Sequence, residues 1–292
     1  MRCQSLPALP LFFALASVFV TPFPVYAQAS DAAAEQPASS ATTTALQIKS
    51  SLEALNGVLE RYRKVGNREG EAHTLGAIAS SYNALRQQQK AVEIFQAELN
   101  LWRALGDKKD EGTTLAHIGD VYREWGFPDQ AIHFYRDALK ANPDSPDQKE
   151  KAAIFNNMGL AYFALHDKKK CVEYLDQSLA DYRAVQDRQG EARALTNLGS
   201  TYGFLINDPH KALDYFQRAV TELELLNDRS TEASALELMG GVWMKLQKQD
   251  MAVESFHRAL FLYERLGNAH GEASVRRQLS AVDDTETIAS AR

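Results

Sequence analysis

Five aromatic residues recur at a nearly constant interval along this chain: Tyr82, Tyr122, Tyr162, Tyr202 and Trp243, separated by 40, 40, 40 and 41 residues. A period of this length is the mark of a repeat architecture, in which each unit buries its apolar face only against its neighbours. The same interval governs other positions. Three residues before each aromatic stands a small side chain, Ala79, Gly119, Gly159, Gly199 or Gly240. One residue earlier comes Ile78, Ile118, Met158, Leu198 or Met239, and three before that Leu75, Leu115, Phe155, Leu195 or Leu236. These spacings line one face of an α-helix. The small residue lets a second helix approach closely.

A second helix follows in each unit. It carries Ala91, Ala131, Cys171, Ala212 and Ala252, then a bulky group four residues later at Phe95, Tyr135, Leu175, Phe216 and Phe256. Leu99, Leu139, Leu179, Val220 and Leu260 complete the stripe. Between the two helices lie short polar turns, and the single extra residue of the 41-residue interval is expected in one of them, near Asn207-Asp208-Pro209. Turns accept insertions more readily than packed helices do. Between units, Gly66-Asn67, Gly106-Asp107, Gln186-Asp187, Asn227-Asp228 and Gly267-Asn268 offer a left-handed C-cap followed by an N-cap side chain. Glu71, Glu111, Glu191, Glu232 and Glu272 fall in the next first turn, where a carboxylate suits the helix dipole. The junction Asn142-Pro143-Asp144-Ser145-Pro146 breaks this pattern with prolines that stop a helix early.

Leu195, Leu198-Gly199, Tyr202, Ala212, Phe216 and Ala219 resemble the tetratricopeptide repeat pattern with one inserted residue, and Leu115, Ile118-Gly119, Tyr122, Ala131, Tyr135 and Ala138-Leu139 resemble it without one. The resemblance implies an all-α fold, a right-handed superhelical solenoid of antiparallel helix pairs. It covers residues 45–283: a lone first helix, five repeats and a partial capping repeat. The units exceed the family's usual ~34 residues and are similar to the longer repeats of kinesin light chain, of the Leu-Gly-Asn G-protein regulators and of bacterial CHAT-associated arrays. The last resemblance rests on Asp187-Arg188-Gln189-Gly190-Glu191-Ala192 and the residues following. As the chain ends at Arg292, the expectation is a stand-alone adaptor, or a truncated relative or regulatory part of a CHAT-type protease system.

Residues 1–27 combine Arg2, an apolar stretch from Leu6 to Val20, and Val25-Tyr26-Ala27, the pattern of a secretory signal peptide cut after Ala27. An uncleaved anchor is the rival reading, against which Pro7, Pro10, Pro22 and Pro24 argue. The expected location is periplasmic or secreted, with no membrane association after cleavage. Residues 28–44 are rich in Ala, Ser, Thr and Gln and read as a flexible leader, and residues 284–292 as a disordered tail. Cleavage would leave one cysteine, Cys171, in a small-residue slot of the core, so no internal disulfide is expected.

The formal net charge is −6, and no concentrated basic face points to nucleic acid. Lys168-Lys169-Lys170 is the one dense basic run and is expected in an inter-helix turn as a solvated loop. No zinc-protease, nucleophile-elbow or phosphate-loop motif occurs. The seven histidines are scattered without metal-ligand spacing. An enzyme, a cofactor and a metal site are therefore not expected.

In the resembled family the first helix of each unit lines the concave groove. The groove residues expected from that register include His117, Asp120, Arg123, Asn156, Asn157, Phe163, Arg193, Asn197 and Phe204. An asparagine side chain donates and accepts at once and so suits a peptide backbone. The resemblance to kinesin light chain implies that role for Asn157 and Asn197, with Asn156 adjacent, Phe163 and Phe204 as apolar pockets, and Arg193 as a charged anchor. An asparagine equally suits a wet helix face. The implied partner is a protein or peptide. Self-assembly is the alternative, since the lone first helix, with Leu52, Leu55, Leu59 and Tyr62, needs a partner face and suits a homodimer.

Overall fold

The computed structural model describes residues 38–141 and 147–290. The proposed signal peptide and the Asn142–Pro146 junction lie outside the described residues. Twelve helices run through the described residues: α1 Ala38–Val65, α2 Arg68–Ala84, α3 Gln88–Leu105, α4 Lys108–Glu124, α5 Pro128–Ala141, α6 Gln148–Ala164, α7 Lys168–Ala184, α8 Arg188–Ser200, α9 Pro209–Leu226, α10 Arg229–Lys245, α11 Gln249–Leu266 and α12 Ala269–Ser290. Pairs α2/α3, α4/α5, α6/α7, α8/α9 and α10/α11 are the five repeats, stacked as an all-α solenoid. Two boundaries differ from the sequence reading. The first helix begins at Ala38, so part of the expected leader is helical, and the last helix continues to Ser290.

Within a repeat, the small residue of the first helix meets the bulky residue of the second. A Cβ added to Gly119 would stand 2.6 Å from the Tyr135 ring, and one on Gly199 would stand 2.9 Å from the Phe216 ring. Tyr135 and Phe216 are fully buried at that contact. These pairs belong to one continuous core running from unit 1 to Val282. At the start of the array, Leu52 and Leu59 of α1 bury against Leu75 and Ile78 of α2. The apolar stripe of the first helix is thus spent within the chain, which removes the reason to expect a homodimer there.

Junctions follow the capping logic of the sequence. Asn67, Asp107, Asp147, Asp187, Asp228 and Asn268 each accept from the backbone N–H three residues on, at 2.9–3.2 Å. The first-turn glutamates also take a second partner. Arg63, Arg103 and Arg183 reach over the junction to Glu71, Glu111 and Glu191 at 2.9, 2.9 and 2.7 Å. The arginines are about half exposed, so each pair adds little stability, and its recurrence orients one unit on the next. Gly66, Gly106 and Gly267 hold the left-handed C-cap, but Gln186 holds the same conformation with φ 56°. A side chain there costs about 1 kcal/mol. Gln186→Gly is accordingly expected to raise the stability by up to about 1 kcal/mol, read as a higher urea midpoint at unchanged slope.

Two sequence expectations are corrected. The extra residue of unit 4 is not in the turn. It is absorbed upstream, where residues Thr201–Ile206 form a π-helical turn that ends at Asn207 with φ 69°. Such bulges take up one residue without leaving the helix axis. Here Gly203 permits it, because a Cβ would stand 2.8 Å from Val242 Cγ2. Lys168, Lys169 and Lys170 are the first turn of α7 and not a loop. Asp167 caps that turn, and the Lys170 ammonium sits 5.0 Å from the Tyr162 ring centre. Cys171 is buried as expected, 3.3 Å from the Thr201 hydroxyl. Burial pushes its thiol up to about 11, so at neutral pH it is a packed thiol and not a nucleophile.

Candidate functional site

The first helices α2, α4, α6, α8 and α10 carry the groove positions of the register. A chain of hydrogen bonds crosses four of them. Asn83 of α2 donates to Glu124 of α4 at 2.9 Å. Glu124 is 3.4 Å from the Arg123 guanidinium. Asp120, one turn back on α4, accepts from Asn157 Nδ2 of α6 at 2.7 Å and from the Tyr135 hydroxyl at 2.6 Å. Asn156 donates to Asn157 Oδ1 at 3.2 Å, and Asn197 of α8 donates to Asn156 Oδ1 at 2.9 Å. Residues 37 to 41 apart in sequence are thereby joined edge to edge.

Burial decides what this ladder does. Asn156 is 0 % and Asn197 2 % exposed. Their amides are turned toward each other and away from solvent, which corrects the expectation that they stand open to a peptide backbone. A buried amide left without partners costs about 1–3 kcal/mol, and neighbouring helices meet that need. Asn157 alone of the three is half-buried. Arg123 is corrected likewise: its side chain is only 8 % exposed beside Glu124. Burial works against its charge, but the Tyr135 hydroxyl and the Asp120 and Glu124 carboxylates outweigh that and hold its pKa above the usual value. Burial first, then Asp120, pushes Tyr135 well above its ordinary value, so its proton stays in the bond to Asp120. A second network closes the far end, where Glu237 of α10 accepts from Tyr263, Ser274 and Gln278 at 3.0, 2.6 and 2.7 Å.

The remaining expected groove residues flank the ladder. His117 is exposed, with its ring 5.7 Å from Phe95. Arg193 is half-buried near the Asp187 carboxylate. Phe163 and Phe204 are half-buried and rest on the core. Phe204 lies on the π-helical turn, opposite Gly241, with the Lys245 ammonium 4.8 Å from its ring. Lys245 also donates to the Gly203 carbonyl at 2.7 Å, a group that the π-turn leaves accessible. The face thus pairs a braced polar floor with aromatic faces that keep part of their surface in solvent. Tyr135 and Glu124 were missed by sequence reasoning. The one signal for Tyr135 is its hydroxyl, since the same slot holds Phe95, Leu175, Phe216 and Phe256 in the other units.

Among the described residues no group of three or more His, Cys, Asp or Glu side chains converges to hold a metal ion, and no helix is long and apolar enough to cross a membrane.

A family model for the tetratricopeptide repeat matches residues 81–144 and 150–221. Over those residues the chain is built of tetratricopeptide repeats. Human G-protein-signaling modulator 1 is 42% identical over 55 residues, which is 19% of this chain and 8% of that protein, so the chain spans only a small part of this curated relative's length. Among solved structures, BtubC (BKLC) from P. vanneervenii superposes with a TM-score of 0.66 at 18% identity over 75% of this chain and 92% of that one. Aspartyl phosphate phosphatase F from Bacillus subtilis does so with a TM-score of 0.69 at 16% identity, over 80% and 62% of the two chains. At these identities the likeness is one of fold. Tetratricopeptide repeat arrays are typically non-enzymatic scaffolds, and this one has the architecture of a scaffold suited to protein–protein interaction.

Proposed function

We propose that this tetratricopeptide repeat array is a scaffold that captures a peptide or protein segment along its concave face, without chemistry, and that it acts in the periplasm or outside the cell. The capture reading is supported chiefly by the half-buried rings of Phe163 and Phe204 beside a hydrogen-bonded floor that is already braced. A floor held by its own ladder loses little conformational freedom on binding, which lowers the cost of association. Aromatic faces supply contact area at low entropic cost. His117, Asn157 and Arg193 supply polar contacts around them. The location rests on the first 27 residues alone.

The test uses a random 12-residue phage-displayed peptide library panned against the full chain. Enriched peptides are then titrated against the native chain and against Phe163→Ala/Phe204→Ala. The variant is expected to keep its far-ultraviolet circular dichroism and to bind at least about 10-fold more weakly. Equal binding by the two, or no enrichment at all, would remove the concave face from the account.

A further inference from the structure

One position breaks the small-residue series of the second helices. The residue before the stripe leucine or valine is Ala138, Ser178, Ala219 and Ala259 in units 2 to 5, each buried, but Glu98 in unit 1. Glu98 is 7 % exposed. Space for it comes from α2, where Gly76 stands at a position held by Ala116, Asn156, Thr196 and Glu237 elsewhere. A Cβ on Gly76 would lie 2.7 Å from Glu98 Oε1. Oε1 accepts from the Trp102 indole at 3.2 Å, and Oε2 has no hydrogen-bond partner among the described residues. The carboxyl is therefore wedged at the meeting of α2, α3 and α4, where unit 1 seats on unit 2.

The groups facing it offer no counter-charge. From α4, Asp110 adds a like charge, and Thr114 already donates to the Asp110 carbonyl at 2.8 Å, which leaves its oxygen free to accept. Glu111 is engaged by Arg103 and Lys108. His117 lies against Phe95. From α2, the His73 ring packs edge-on to Trp102 at 4.8 Å. Among the described residues no lysine or arginine pairs with Glu98.

We propose that Glu98 is a proton-operated latch between the first and second repeats: protonated, it lets unit 1 seat on unit 2, and ionised, it loosens that contact at the start of the groove. An ionised carboxylate with one orphan oxygen must be desolvated to stay in place, whereas the protonated form needs only an acceptor such as Thr114. Burial pushes the Glu98 carboxyl up to about 7, with the Trp102 indole opposing and Asp110 adding to the rise. A carboxyl whose folded pKa lies above its unfolded value keeps its proton longer in the folded state. Stability from this group is present below about 4.5 and is lost as pH rises toward about 7. The span corresponds to a change on the order of 100-fold in the opening equilibrium. Asp176 shifts in the same direction through burial, so a single-site variant is needed to isolate the effect.

The experiment is amide hydrogen exchange at pH 6 and pH 8, corrected for intrinsic rates, on the full-length native chain, Glu98→Gln and His73→Gln. The native chain is expected to lose protection in α2 and α3 at pH 8 by about 10-fold more than in α8 to α11. Glu98→Gln is expected to show equal protection at both pH values, and His73→Gln to respond like the native chain. A pH response that survives in Glu98→Gln, one that vanishes in His73→Gln, or none in the native chain would overturn the latch.

Discussion

Replacing Asp120 with alanine should destabilise the array by about 3 kcal/mol, the scale for removing one partner from a buried charge network. Asp120 Oδ1 accepts from Tyr135 at 2.6 Å and from Asn157 at 2.7 Å. It is also one of the two carboxylates that offset the nearly buried Arg123 charge. The substitution strands a phenol, an amide and half of a guanidinium's counter-charge at once. Asp120→Asn keeps an acceptor and should cost less, while Tyr135→Phe removes one donor and should cost about 1 kcal/mol. Equilibrium urea unfolding separates the three. A loss below about 1 kcal/mol for Asp120→Ala would mean that water replaces the carboxylate and that the ladder does not brace the groove.

Phe216→Ala is the second large effect. Phe216 is fully buried and its ring fills the space opened by Gly199. Truncating such a residue costs about 3–5 kcal/mol, the removed surface plus the cavity left behind. In a linear array that cost falls on unit 4 and its two interfaces, not on the whole molecule. Calorimetry should therefore resolve the single unfolding transition into two, with α1 to α7 melting apart from the C-terminal units. Phe216→Leu, which keeps most of the volume, should shift the transition by under about 1.5 kcal/mol without splitting it.

Most of the fold was legible because its determinants are local and periodic. The 40-residue interval carries both helix faces and both caps, and each glycine–aromatic contact pairs two positions already in register, as Gly119 does with Tyr135. The 41-residue interval was legible too, but not where the extra residue goes. That depends on Gly203 letting α10 come close, a tertiary fact. The groove residues were legible by type and face but not by depth. Asn156 and Asn197 read as wet because the register says which way a side chain points and not how near the next helix stands. Their 2.9 Å bond, between residues 41 apart, closes that gap. Glu98 breaks a series of small residues that the sequence reading did not single out, and only the matching Gly76 explains how the core accepts it.

The central claim is that the concave face, braced by its polar ladder, is where a partner sits. The most direct test is hydrogen exchange on the full chain with and without a saturating peptide selected from the random library. Protection concentrated in α6, α8 and the π-helical turn, spanning Phe163, Arg193 and Phe204, is the predicted result. Protection confined to the second helices α7, α9 and α11, with the first helices unchanged, would contradict it.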